Sequence, residues 1–238
     1  MFQKIINYFK KVRRAKRIKR NKKKIPPYLL KDFDVELNFK LWSTAGARFS
    51  ASRRNQVLHK LSGQCVVYLS AYLIIIGSVK IYGLNFWLLI LTDSEINFAS
   101  LAFSVLILLF SQSESSENYI LKSERYHNCA LDISELYKNL RYAKTYHDSD
   151  LDKQKTILEI SNKYDIILKK YENHMPIDYS TFQLQKPEYF ELDFFDINFI
   201  KINYYLNVYF KYHVLIYGPV IIFTIANLYI LIFSKQCN

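Results

Sequence analysis

The chain has 238 residues, half of them hydrophobic, with only five glycines, five prolines and a formal net charge of +12. That length holds one modest structural unit and no second large domain. So few glycines leave little material for a phosphate-cradling loop, and the three scattered cysteines (Cys65, Cys129, Cys237) exclude a disulfide framework or a cysteine metal site.

The charge is concentrated at one end. Residues 1–24 carry twelve Lys or Arg and no acid, while the rest of the chain carries 21 of each sign. Phe2, Ile5, Phe9 and Val12 fall on one helical face among these cations, so residues 1–27 read as a basic amphipathic arm ended by Ile25-Pro26-Pro27. A secretory signal has its charges first and its apolar core second, the reverse of this order. Lys10, Lys11, Arg13, Arg14, Lys16, Arg17, Lys19 and Arg20 are the arm's candidate contacts. Two partners remain open for them: anionic membrane lipid, at about 1 kcal/mol per basic residue, or the phosphates of a nucleic acid.

Three uncharged stretches follow: Leu61–Val79, Ile96–Ser113 and Tyr212–Ser234. Each is close to the ~20 residues that a helix needs to cross about 30 Å of hydrocarbon. The expected class is all-α: an integral membrane protein with two or three transmembrane helices, the first two at about 61–82 and 96–113. Arg48, Arg53, Arg54 and Lys60 precede the first run, and the connection Gly83–Glu95 has no Lys or Arg. The positive-inside rule then puts the N-terminus and the main aqueous part in the cytoplasm. In the second run Asn97, Ser100, Ser104 and Ser111 share one face, a polar stripe that suits either pore lining or close helix packing.

Residues 114–174 predict a cytoplasmic helical hairpin. Tyr119, Tyr126, Ala130, Ile133, Tyr137 and Leu140 form one stripe, and Ile157, Ile160, Tyr164, Ile167 and Tyr171 the other, with a break at His147–Asp150. The second helix is expected to stop near Asn173, ahead of Pro176. Glu172, Asn173, His174 and Asp178 gather polar groups there, as a sensing site or simply as a turn. Residues 180–211 are dense in aromatics and suit the inner membrane surface. Residues 212–234 are the expected third span, with Gly218 and Pro219 inside it.

No catalytic, metal or cofactor signature is present in the pattern: the five histidines are scattered and no zinc-hydrolase pair occurs, which argues against an enzyme. One or two helices cannot enclose a lumen, so any pore requires a homo-oligomer.

The layout resembles the SLATT family, two-transmembrane effectors of prokaryotic conflict systems. The resemblance rests on ARFSASRRNQVLHKLSGQCVVYLSAYLIIIG (Ala47–Gly77), the short outer connection, the second apolar run, ENYILKSERYHNCALDISELYKNLR (Glu117–Arg141) and KKYENHMPIDY (Lys169–Tyr179). It covers roughly residues 40–215, with 40–179 as the SLATT-like core, and is nearest to the subfamily found beside reverse transcriptases. It implies a pore-forming or depolarising effector of antiphage abortive infection in the prokaryotic inner membrane. The implied partner is a reverse transcriptase or its RNA or DNA product. The basic arm lies outside the resemblance and leaves an alternative open: a membrane-tethered scaffold that binds nucleic acid without forming a pore.

Overall fold

The structure is a computed structural model that describes residues 32–81, 93–146 and 149–234. The arm at 1–27 and the outer connection fall outside those residues or largely so. Seven α-helices account for nearly all that is described: α1 Phe33–Ile81, α2 Asp93–Ser116, α3 Tyr119–Tyr146, α4 Asp150–Lys170, α5 Pro176–Gln183, α6 Phe194–Val208 and α7 Phe210–Ser234. The protein is all-α, and among the described residues there is no strand.

Local sequence sets the helix ends. Asn118 takes a left-handed conformation (φ 49°) between α2 and α3, which a short amide side chain tolerates better than most. Asp150 and Asp152 place negative charge in the first turn of α4, where the helix dipole favours it. Pro176 occupies the first position of α5, where its missing N–H costs nothing. The Asp193 carboxylate caps α6 by accepting from the Asp196 N–H at 2.8 Å.

The chain divides into two compact units: residues to Thr44 with Asp132–Lys169, and Ala45–Leu131 with Lys170–Asn238. The first is a three-helix arrangement of the start of α1, the end of α3 and α4. Leu37, Leu41, Ile133, Leu136, Leu140, Ala143, Ile160 and Tyr164 are its buried side chains. Residues on α3 (Leu136, Asn139, Ala143) and on α4 (Thr156, Glu159, Ile160, Lys163) line one shared cleft, as two antiparallel helices joined at a tight break must. Thr44 hydrogen-bonds Tyr164 at 2.8 Å, and Lys144 pairs with Asp34 at 2.5 Å.

The second unit holds the apolar runs. Residues 61–81 close a helix that starts at Phe33, so the polar stretch before the first run is helical throughout. Leu58, Leu61, Cys65 and Leu69 of α1 form one buried cluster with Val208, Tyr212 and Ile216, flanked by Phe103, Ile107 and Phe110 of α2. Around this cluster the exposed faces are apolar: Val67, Ile74 and Ile75 on α1, Phe98, Leu101, Leu106 and Leu108 on α2, and Ile221 and Ile222 on α7. Only 17 % of the apolar window of α1 is buried inside the fold, whereas the core helix of a water-soluble protein would be mostly covered. At 24 and 25 residues, α2 and α7 are each long enough to cross about 30 Å. The aromatic segment becomes α6, which meets α7 at a 65° bend.

Candidate functional site

Two clusters of buried polar side chains stand out, both in the second unit. One lies where α1 meets the α4–α5 connection. Ala45, Gly46, Ala47, Ser50, Ala51 and Ser52 let neighbouring backbone come close to α1. At Gly46 an added Cβ would lie 2.1 Å from the Phe182 ring, so α5 rests directly on the glycine. Ser52 and Ser123 exchange hydrogen bonds at 3.0 Å, fixing α3 to the same stretch.

Within this small-residue region two arginines point inward. Arg54 forms a two-pronged ion pair with the fully buried Asp178, Nε to Oδ1 at 2.7 Å and Nη2 to Oδ2 at 3.1 Å. The same carboxylate accepts from the Met175 N–H at 2.9 Å, so one side chain holds α1 and also closes the first turn of α5. Arg48 is also fully buried but is not matched in this way. Its Nη2 donates to Asn173 Oδ1 at 3.2 Å, and its guanidinium lies 5.6 Å from the centre of the Tyr126 ring. Its Nε and Nη1 have no acceptor, and neither does the buried Nδ1 of His174 find a partner. Burial holds the His174 imidazole below its ordinary pKa, Arg48 pushes it the same way, and Asp178 opposes them. Burial raises the Tyr126 phenol, against the pull of Arg54 and Arg48; its hydroxyl donates to the Asn173 carbonyl at 3.0 Å.

The second cluster is Glu114. This buried carboxylate at the end of α2 accepts from Lys211 Nζ and from the Tyr212 hydroxyl, each at 2.5 Å. It ties the ends of α2 and α7 beside α1.

The sequence candidates fall into place unevenly. Asn173, His174 and Asp178 do come together, around Arg48 and Arg54, while Glu172 is exposed. The α4 helix ends at Lys170, three residues before the expected stop. Of the four cations that precede the first apolar run, Arg48 and Arg54 are buried, while Arg53 and Lys60 are exposed. On α2, Asn97 and Ser111 are exposed and Ser100 and Ser104 half-buried. The Ser104 hydroxyl donates back to the Leu101 and Ser100 carbonyls, leaving its oxygen lone pairs outward. Lys10, Lys11, Arg13, Arg14, Lys16, Arg17, Lys19 and Arg20 lie outside the described residues. Among the described residues no group of three His, Cys, Asp or Glu is placed to hold a metal ion.

One helix, α1, is long and apolar enough to cross a membrane, and α6 with α7 would make a second if that bent pair is one span; this is the layout of an all-α domain with one or two candidate spans. Comparison with family models is specific: the SMODS and SLOG-associating 2TM effector domain family 5 matches residues 30–225, and the chain belongs to that family. The match is to a 2TM effector domain, and it reaches into α7. No curated protein and no solved structure matches the chain.

Proposed function

We propose that the chain is the membrane-depolarising effector of an antiphage abortive-infection system. It acts in the prokaryotic cell membrane as a homo-oligomeric pore, with its N-terminus and main aqueous part in the cytoplasm. A reverse transcriptase, or the RNA or DNA it handles, is the partner that switches it on.

The observation that carries this reading is the pairing of membrane-length helices, apolar on their exposed sides, with membership of a membrane effector family. The helices of one chain pack on each other around Leu61, Cys65, Leu69 and Tyr212 rather than around water, so a conducting path needs several copies. The α2 face with Asn97, Ser100, Ser104 and Ser111 offers a polar stripe to line it. Hydroxyl oxygens turned toward such a path offer lone pairs to water or to a cation.

Induction of the chain with its partner is expected to collapse the membrane potential, read with a voltage-sensitive dye. The Ser100→Leu/Ser104→Leu double variant should insert normally and abolish the collapse. Full toxicity in that variant would remove the lining assignment, and an intact potential in the wild type would remove the pore. The twelve cations of the arm favour a second role beside this one, holding nucleic acid or anionic lipid at the membrane. Deleting residues 1–24 should then abolish a salt-sensitive complex while the conductance survives.

A further inference from the structure

We propose that Arg48, with His174 at the amino end of α5, is a binding site for a phosphate group, closed in this structure by the Tyr171–Met175 connection. The inference names a trigger for the effector described above and rests on that reading for its meaning; its test reads binding alone.

Arg48 is fully buried, yet only one of its three nitrogens has a hydrogen-bond acceptor, and that acceptor is the neutral amide of Asn173. Burying an ammonium or guanidinium is costly unless a charge of opposite sign pairs with it. The nearby buried carboxylate, Asp178, is already committed to both prongs of Arg54 and to the Met175 N–H. Among the described residues no carboxylate forms an ion pair with Arg48. Exposed Glu172 brings the charges felt at Tyr126 to two of each sign, but it forms no ion pair with Arg48, so what the buried guanidinium lacks is acceptors for Nε and Nη1.

His174 adds a second unmet group, since its Nδ1 is buried with no partner and the imidazole senses the Arg48 charge. The N-terminal end of α5, with its dipole favouring negative charge, begins two residues later. Nε and Nη1 lie on different edges of the guanidinium plane, and His174 supplies a third donor as its Nδ1–H tautomer. Donors on opposite edges diverge, so one phosphate takes Nε or Nη1 together with the His174 N–H, and its several terminal oxygens can accept from both at once.

Because Arg48 is fully covered, admitting a phosphate requires the Tyr171–Met175 connection to lift. Its polar ties to α1 and α3 include the Arg48–Asn173 bond at 3.2 Å and the Tyr126–Asn173 bond at 3.0 Å. Lifting it disturbs α5, whose first turn Asp178 closes and whose last turn rests on α1 through the Gly46–Phe182 contact. Phosphate binding thus shifts the chain toward an open arrangement by its differential affinity for the two states.

The full chain in lipid nanodiscs provides the test, with thermal unfolding followed by tryptophan fluorescence. The probes are inorganic phosphate, a nucleoside monophosphate, and a short oligothymidylate with or without a 5′-phosphate. The Tm of the wild type should rise with the logarithm of probe concentration. Arg48→Met should weaken the response at least about tenfold, the least that losing one charge-assisted hydrogen bond implies. Asn173→Asp, which places a carboxylate against Arg48 from an exposed position, should raise Tm without probe and erase the response. Stabilisation by phosphate or mononucleotide identifies a small-molecule ligand; stabilisation only by the 5′-phosphorylated strand identifies a strand end. Equal responses in wild type, Arg48→Met and Asn173→Asp would place the binding on the basic arm and overturn the site. So would an Asn173→Asp chain with unchanged Tm and undiminished response. Neither failure touches the depolarisation assay.

Discussion

The pairing of Arg54 with Asp178 is the part of the buried cluster with the clearest energetic consequence. Both side chains are out of water, and the carboxylate has no exposed surface. Attraction between them offsets desolvation only while both are present, so removing one leaves the other buried and unpaired. Asp178→Ala is expected to destabilise the chain by about 3–5 kcal/mol, read as a lowered midpoint in chemical or thermal unfolding. The Arg54→Met/Asp178→Leu double variant should unfold much closer to the wild type, because neither charge is then stranded. A double variant as unstable as the single one would mean that the Met175 cap, rather than the ion pair, is what Asp178 supplies. The sequence disclosed Asn173, His174 and Asp178 as a polar gathering but did not name Arg48 and Arg54 as their partners. Arg48 and Arg54 looked like cations waiting at a membrane surface, since they precede an apolar run. The signal that could have placed them indoors is the company they keep. Eight of the ten residues from Ser43 to Ser52 are small, and backbone packed that closely on several sides leaves a neighbouring arginine nowhere to go but inward.

At the scale of an element, α1 is where pattern reading was weakest. A helix buried on one face announces itself by its stripe, but α1 between Leu41 and Asn55 is covered nearly all round, by α3 on one side and α5 on another. With no solvent face there is no stripe, and the segment reads as a mixed lead-in rather than as continuous helix. The hairpin helices were legible for the opposite reason. Tyr126, Ala130, Ile133 and Leu140 keep a three-, four- and seven-residue spacing and are buried, while Glu124, Arg125 and Lys138 on the other faces are exposed. The contact that holds α5 on α1 depends on a missing side chain. Gly46→Ala would drive a methyl to within 2.1 Å of Phe182, a buried ring, so the ring or the helix must shift. Overpacking of this kind costs about 1–3 kcal/mol. Phe182→Leu should restore part of that loss when combined with Gly46→Ala, while lowering stability on its own. Thermal unfolding of the four members of this cycle would expose the coupling; simple additivity would show that the two positions do not press on each other.

For the molecule as a whole, the open matter is the number of crossings. The family description counts two, whereas α7 supplies a third apolar helix of 25 residues. Its packing argues that it crosses with the others. The Glu114 carboxylate, at the end of α2, bonds Lys211 and Tyr212 at the start of α7, which places those two ends at one level. Tyr212 shares a buried cluster with Leu61 and Cys65 of α1, and one turn further along α7 the Ile216 carbonyl accepts from Tyr72, further along α1, at 2.7 Å. The two helices therefore advance in the same direction from a common level, with α2 running against both. Lys60 and Lys211 are exposed near that level, where the positive-inside rule would expect a cytoplasmic boundary. If residues 61–81 cross the bilayer, α7 crosses beside them and delivers the chain's end to the far side. A periplasm-active reporter fused after Asn238 should be active, and the same reporter inserted at the α3–α4 break should be silent. An inactive C-terminal fusion, with the α7 helix still protected from protease in membranes, would mean instead that α7 turns back within the inner leaflet, and the two-crossing description would stand for this chain as well.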